Sequence, residues 1–205
     1  MSYDTSMPMT SASVLPTEEN VRRACKQFDD DNRIVEEALK DLFTQYPRNK
    51  DHPHVLLKVV ALNRLYSTGI LAVHDVARHI HERAQEIDSG LAVGSPEIVD
   101  KITAVPITAT GEVRHFWSFA TKYCSWHNPK AYPIWDSRVE RYLRSLNGTA
   151  FTHPDRWNHY REFRDLMALF REHYRLAAFT FKEIDEFLWS YGGEDPNARG
   201  SGTHI

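Results

Sequence analysis

Residues 114–143 read RHFWSFATKYCSWHNPKAYPIWDSRVERYL, and this stretch decides the fold class. From about Val113 to His127 the apolar residues recur at helical rather than alternating spacing, so the segment predicts a helix. Pro129 and Pro133 enclose the turn that follows, since neither can continue a helix. Beyond it, Asp136 or Ser137 is placed to cap a second helix that runs to Leu146 and stops at Asn147-Gly148. The stretch is therefore two helices joined by a proline-fixed turn.

The same period extends outward in both directions. Pro16-Thr17-Glu18-Glu19 opens a first helix with Val21, Ala24, Cys25 and Phe28 on one face. Ile34, Ala38, Leu39 and Phe43 mark a second that stops near Pro47, and residues 47–53 form a polar loop. Residues 54–66 (HVLLKVVALNRLY) are apolar nearly all round, which predicts a helix buried on most sides, with Lys58, Asn63 and Arg64 as its strongly polar positions. Residues 71–87 give a fourth helix. Ser95 as N-cap with Pro96 behind it starts a short fifth that Pro106 stops, and 107–111 form a loop. Downstream, 154–176 is amphipathic, and 181–189 forms a last helix with Thr180 and Glu183 spaced as a capping box. No alternating run of strand length occurs. The expectation is an all-α compact bundle of about eight or nine helices in one domain over 17–191, with 1–16 a disordered leader and 192–205 a disordered tail.

Composition excludes several classes. Of 205 residues, 41% are hydrophobic and 26% charged, enough for a sizeable core. No apolar run approaches the length of a membrane span. The two cysteines, Cys25 and Cys124, are far apart, which rules out a CxxC pair or a disulfide scaffold and points to a reducing, cytoplasmic setting. A net charge of −3 gives no global positive field. His74, His79 and His81 do not share one helix face, so no metal site is expected, and nothing in the chain calls for a cofactor.

The residues able to do chemistry concentrate in the opening stretch. Lys122 lies in the middle of a helix with apolar or small neighbours on every side. Burial there lowers an ammonium's pKa and can make it a nucleophile, whereas a lysine whose head reaches water is only a snorkelling side chain. Asp136 follows a rigid turn at a helix start, a place that suits a capping residue and equally a positioned general base or cation-stabilising charge. Trp117, Trp126 and Trp135 offer faces for stacking, and His115 and His127 flank the helix.

The order Ser118-Phe119-Ala120-Thr121-Lys122-Tyr123-Cys124, His127-Asn128-Pro129, Tyr132-Pro133-Ile134-Trp135-Asp136-Ser137 resembles the catalytic segment of the helix-hairpin-helix DNA glycosylase superfamily. The nearest likeness is to its 8-oxoguanine-DNA-glycosylase-like bacterial branch. Residues 62–68 (LNRLYST) resemble a second signature of that group, which brings in Asn63. The resemblance implies that Asp136 stabilises a sugar cation or activates the attacking group. Double-stranded DNA with a modified base is then the partner, and the base is extruded into an aromatic pocket. Two departures stand out. Residues 106–111 hold one glycine where the superfamily carries a glycine-rich hairpin, and Lys122 precedes Asp136 by 14 positions where the family lysine lies near the place of Trp117. A bifunctional enzyme using Lys122 and a monofunctional one using water and Asp136 both remain open. So do a non-catalytic nucleic-acid-binding module and a helical protein-interaction domain.

Overall fold

A computed structural model describes residues 14–146 and 159–193 of the chain. Its first helix, α1 (Glu18–Gln45), starts at Thr17, whose hydroxyl accepts from the Asn20 amide. It is one 28-residue helix where the sequence predicts two. The polar stretch between the two apolar groups contains no glycine or proline, and the i,i+4 pairs Lys26–Asp30 and Arg33–Glu37 span it. Ile34 is 76% exposed and belongs to no buried face.

The second helix, α2 (His52–Leu65), buries Val55, Lys58, Val59 and Leu62. Its opposite face leaves Leu57, Val60 and Leu65 exposed, so the expectation of burial on most sides is wrong. The expected fourth helix is two: α3 (Val73–Glu82) and α4 (Ala84–Val93). Arg83 leaves helical backbone between them, and its amide bonds back to the Ile80 carbonyl. No glycine or proline marks that break. Gly94, with φ +71°, ends α4 in the left-handed conformation that glycine adopts without steric cost.

The next helix, α5 (Glu97–Thr103), has Pro96 at the cap position, and the Ser95 hydroxyl donates to the Glu97 carboxylate instead of accepting from a backbone amide. It runs into a ribbon the sequence did not predict. Strand β1 (Ala104–Pro106) pairs antiparallel with β2 (Val113–His115), in the register Ala104↔His115 to Pro106↔Val113. Residues 107–111 are its turn, so α6 (Trp117–His127) begins four residues later than expected. Strands of three residues are too short to show an alternating pattern.

Helix α6 buries every residue from Phe119 to Ser125, because α1, α2, α4 and α5 all pack against it. After it come α7 (Ser137–Ser145), α8 (Tyr160–His173) and α9 (Phe181–Tyr191). Residues 154–158 of the expected amphipathic helix lie outside the described residues. Thr180 and Glu183 close the expected capping box, and α9 packs on α1 and α7. Of the expected leader, Val14 is docked, its carbonyl accepting from the Tyr142 hydroxyl at 2.6 Å. The rest of the leader, residues 1–13, and residues 194–205 of the tail lie outside the described residues. The described chain is an all-α bundle of nine helices with one short ribbon, and none of its described helices is long and apolar enough to cross a membrane.

Candidate active site

The turn between α6 and α7 is held from three sides. Tyr132, fully buried, places its hydroxyl 3.0 Å from the carbonyls of Gly90 and Ser95, and the Tyr160 hydroxyl donates to the Pro133 carbonyl at 2.7 Å. Thr121 of α6 bonds the backbone of Trp135 in both directions, its hydroxyl oxygen 3.1 Å from both the amide and the carbonyl. The carboxylate that follows is thus fixed against the centre of the bundle. Asp136 is the N-cap of α7, accepting from the Arg138 and Val139 amides at 3.0 and 3.1 Å through Oδ1. That leaves Oδ2 free of the cap.

Lys122 occupies that second oxygen. Its Nζ lies 2.8 Å from Asp136 Oδ2 and 2.8 Å from Ser118 Oγ, with both charged residues buried. The reversal at Pro129 and Pro133 brings residues 14 apart in sequence into one ion pair. Here the structure decides against the snorkelling alternative: the lysine head stays inside. Burial of such a pair is tolerated because the cap amides and Ser118 satisfy what the two charges leave over.

The aromatic residues fall into two groups. Trp117 and Trp135 meet edge to face at 6.5 Å beside the pair, and the buried Trp135 Nε1 has no partner. Trp126 points elsewhere, packing on Phe43 and Tyr66 and under the Lys182 ammonium. Tyr66 joins the groups, since its ring lies 5.7 Å from Lys122 Nζ and it also lines a cavity of about 380 Å³. Phe43, Trp126, His127, Lys40 and Lys182 are among the other walls of that cavity. His115 is exposed on β2. Asn63 folds its amide into the next turn instead, donating to the Ile70 carbonyl and accepting from the Ile70 amide and the Thr68 hydroxyl.

Sequence reasoning missed two features. The first is Asp185 of α9, whose Oδ1 is buried without a partner. Burial, and then the charge of Asp136, push its pKa well above the usual carboxylate range. Beside it, burial alone would lower Lys182, but Glu36 and Glu186, at 2.6 and 3.1 Å, outweigh that and raise it. The signal in the sequence was the acidic group Glu183, Asp185 and Glu186 beside the apolar Ile184, Phe187 and Leu188 of α9. The second is the surroundings of Lys58, which is fully buried. Its ammonium lies 2.7 Å from Asn49 Oδ1, 3.1 Å from the Tyr46 carbonyl and 3.2 Å from His127 Nε2. Asn49 in turn donates to Asp88 and accepts from the Tyr123 hydroxyl. Burial lowers Lys58 to about 8, partly opposed by Asp88. Burial and the Lys58 charge lower His127 to about 3.

Comparison with known proteins places the chain in a family. Residues 20–131 match the family model described as the HI_0787_N N-terminal domain, and the chain belongs to that family. An uncharacterized protein of Haemophilus influenzae is 41% identical over 136 residues, which cover 64% of this chain and 63% of that protein. The chain therefore spans less than two thirds of that relative's length. No solved structure matches. The family match takes in Lys58, Lys122 and His127 and ends before Asp136.

Proposed function

We propose that this protein is a DNA base-excision glycosylase acting on a modified base, with the Lys122–Asp136 pair as its catalytic centre. The observation that carries the reading is the 2.8 Å contact between these two buried groups, next to a tyrosine that also walls an aromatic cavity. A base rotated out of the duplex needs a cavity with stacking faces, and one of about 380 Å³ walled by Phe43, Tyr66 and Trp126 suits a purine or pyrimidine. The sugar of that nucleotide would then lie toward Lys122 and Asp136.

In the reaction the C1′–N bond breaks, the base leaves with the bonding pair and takes up a proton, and positive charge develops on the sugar. The Asp136 carboxylate, immobilised by two amides, is set to offset that charge without reorganising. Two routes complete the step. Water attacks C1′ and yields a proton to Asp136, which passes it on to the departing base. Alternatively, Lys122 first passes a proton to Asp136 across their contact, and the neutral amine bonds to C1′ as the base leaves with the proton that Asp136 holds. The nitrogen then passes a proton to O4′ as the C1′–O4′ bond breaks, which opens the sugar to a Schiff base. The double engagement of the Lys122 ammonium by Asp136 and Ser118 favours the water route. A cytoplasmic location accords with free thiols at Cys25 and Cys124.

The test is base release from a panel of duplexes, each with one modified base, together with borohydride trapping. The water route predicts release that survives Lys122→Ala, is lost in Asp136→Asn, and gives no trapped complex. A trapped complex that Lys122→Ala removes selects the amine route. Wild-type protein that releases nothing from any duplex, and binds them no better than Asp136→Asn, overturns the proposal.

A further inference from the structure

Helix α9 is held at both ends against the two halves of the site. At its start, the Lys182 ammonium pairs with Glu36, which also accepts from the Tyr66 hydroxyl, and it lies over the Trp126 ring. At its end, the Arg138 guanidinium stacks 3.9 Å from the Trp189 ring centroid, and a Cβ on Gly192 would meet the Arg138 carbonyl. Arg138 is in the first turn of α7 and donates its amide to Asp136. Lys182, Asp185 and Trp189 are spaced i, i+3 and i+7, so they share one face of α9. Asp185 therefore lies about one turn from the cavity wall at Lys182 and about one turn from the contact with Arg138. That is the stretch where the cavity gives way to the Lys122–Asp136 pair.

Asp185 lacks what its neighbours have. The Lys182 ammonium is taken by Glu36 and Glu186, and the Lys122 ammonium by Asp136 and Ser118. Neither oxygen of Asp185 has a hydrogen-bond partner or a cation among the described residues, and Oδ1 is enclosed. An ionised carboxylate so placed would stand uncompensated beside one that two amides and an ammonium satisfy. The site therefore holds one ionised acid and one neutral acid, the division that separates a charge stabiliser from a proton donor. Burial and the Asp136 charge raise the Asp185 pKa, which agrees, while Lys122 and Lys182 oppose them. The other groups around it are Glu186 on its own helix, Glu36 of α1 behind Lys182, and the hydroxyls of Tyr66 and Tyr160.

We propose that Asp185 is a further catalytic residue, the acid that protonates the departing base. The role rests on the glycosylase reading, whereas the neutral state of Asp185 and its interaction with Asp136 do not. As the C1′–N bond breaks, its electron pair goes to the base, and the Asp185 hydroxyl passes its proton to that base. Water bonds to C1′ and yields a proton to Asp136, which restores Asp185, so both acids end as they began. The proton that Asp136 takes from water thus reaches the base by way of Asp185. Asp136, already accepting three hydrogen bonds, stays the charge stabiliser throughout.

The experiment has two arms, both on the full chain. In the first, without DNA, the aspartate carboxyl carbons are titrated by carbon-13 NMR, with the Asp185 signal identified by its absence from Asp185→Asn. Asp185 should be protonated at neutral pH. Asp136→Asn removes the neighbouring negative charge and leaves Lys122 positive, so the Asp185 titration should move down by about one pH unit or more. Lys122→Met should move it up. In the second arm, single-turnover base release from the modified duplexes is followed across pH. Wild-type release should fall as rising pH takes the proton from Asp185. Asp185→Asn should be slower by about a hundredfold or more at neutral pH and should lack that fall. Asp185 ionised at neutral pH, a titration that Asp136→Asn leaves in place, or a folded Asp185→Asn as fast as the wild type each overturns the inference and leaves the glycosylase reading standing. Wild-type protein that releases nothing from any duplex overturns that reading and the donor role with it, while the first arm still decides whether the two acids interact.

Discussion

Breaking the Lys122–Asp136 pair should cost no more in the double variant than in the worse of the two single variants. Lys122→Met leaves the Asp136 carboxylate with its two cap amides but without its cation, in a place 7% exposed. Asp136→Asn keeps the cap, since asparagine caps a helix as well as aspartate does, but leaves the Lys122 ammonium with only Ser118. Uncompensated buried charge costs about 3–5 kcal/mol, and the two cap bonds temper this at Asp136. We expect about 2–3 kcal/mol for Lys122→Met and about 3–4 kcal/mol for Asp136→Asn. The double variant, with no net buried charge, should lose no more than the worse single, a coupling of about 2 kcal/mol or more. Equilibrium urea unfolding of the four proteins at pH 7 measures this. Single-variant losses that add to within about 0.5 kcal/mol would show that the two groups do not share one buried interaction.

Three further outcomes follow from the same structure. His127 is neutral in the fold down to about pH 3 while the unfolded chain takes a proton below 6.5, so stability should fall as pH drops between those values, by up to about 5 kcal/mol. His127→Gln should flatten that part of the pH–stability curve, and an unchanged slope would contradict the burial. Lys58 runs the other way along the pH scale: the unfolded lysine holds its proton to 10.5 and the folded one to about 8, so wild-type stability should rise relative to Lys58→Met across that window, by about 3 kcal/mol. Thr121→Val should remove both bonds to the Trp135 backbone and destabilise by about 1–2 kcal/mol, with a larger proportional loss in base release because Asp136 is no longer held in place.

Much of this arrangement is legible in the chain. The turn between Pro129 and Pro133 and the Asp136 cap follow from local chemistry that tertiary structure did not override. The Thr180–Glu183 box is equally local. Other elements depended on long-range packing. The join at Arg83 carries no breaker residue, and the 104–115 ribbon is too short to leave a periodic trace. Lys122 and Asp136 both stood out in the sequence, but their separation along the chain says nothing of the 2.8 Å between them, which the reversed turn creates. Lys58 was visible as a polar residue inside an apolar helix. Its partners Asn49, Asp88 and His127 come from three other parts of the chain, so its role could not be read. Asn63, a motif position read as a ligand contact, has its amide engaged by the Thr68–Ile70 turn, a contact between neighbouring residues that the motif did not announce.

The most direct test of the central claim is release of a modified base from duplex DNA by wild-type protein and by Asp136→Asn, with folding of both checked by circular dichroism. The account predicts release by the wild type and a loss of at least about a hundredfold in a folded Asp136→Asn. A folded Asp136→Asn that releases the base as fast as the wild type would contradict it.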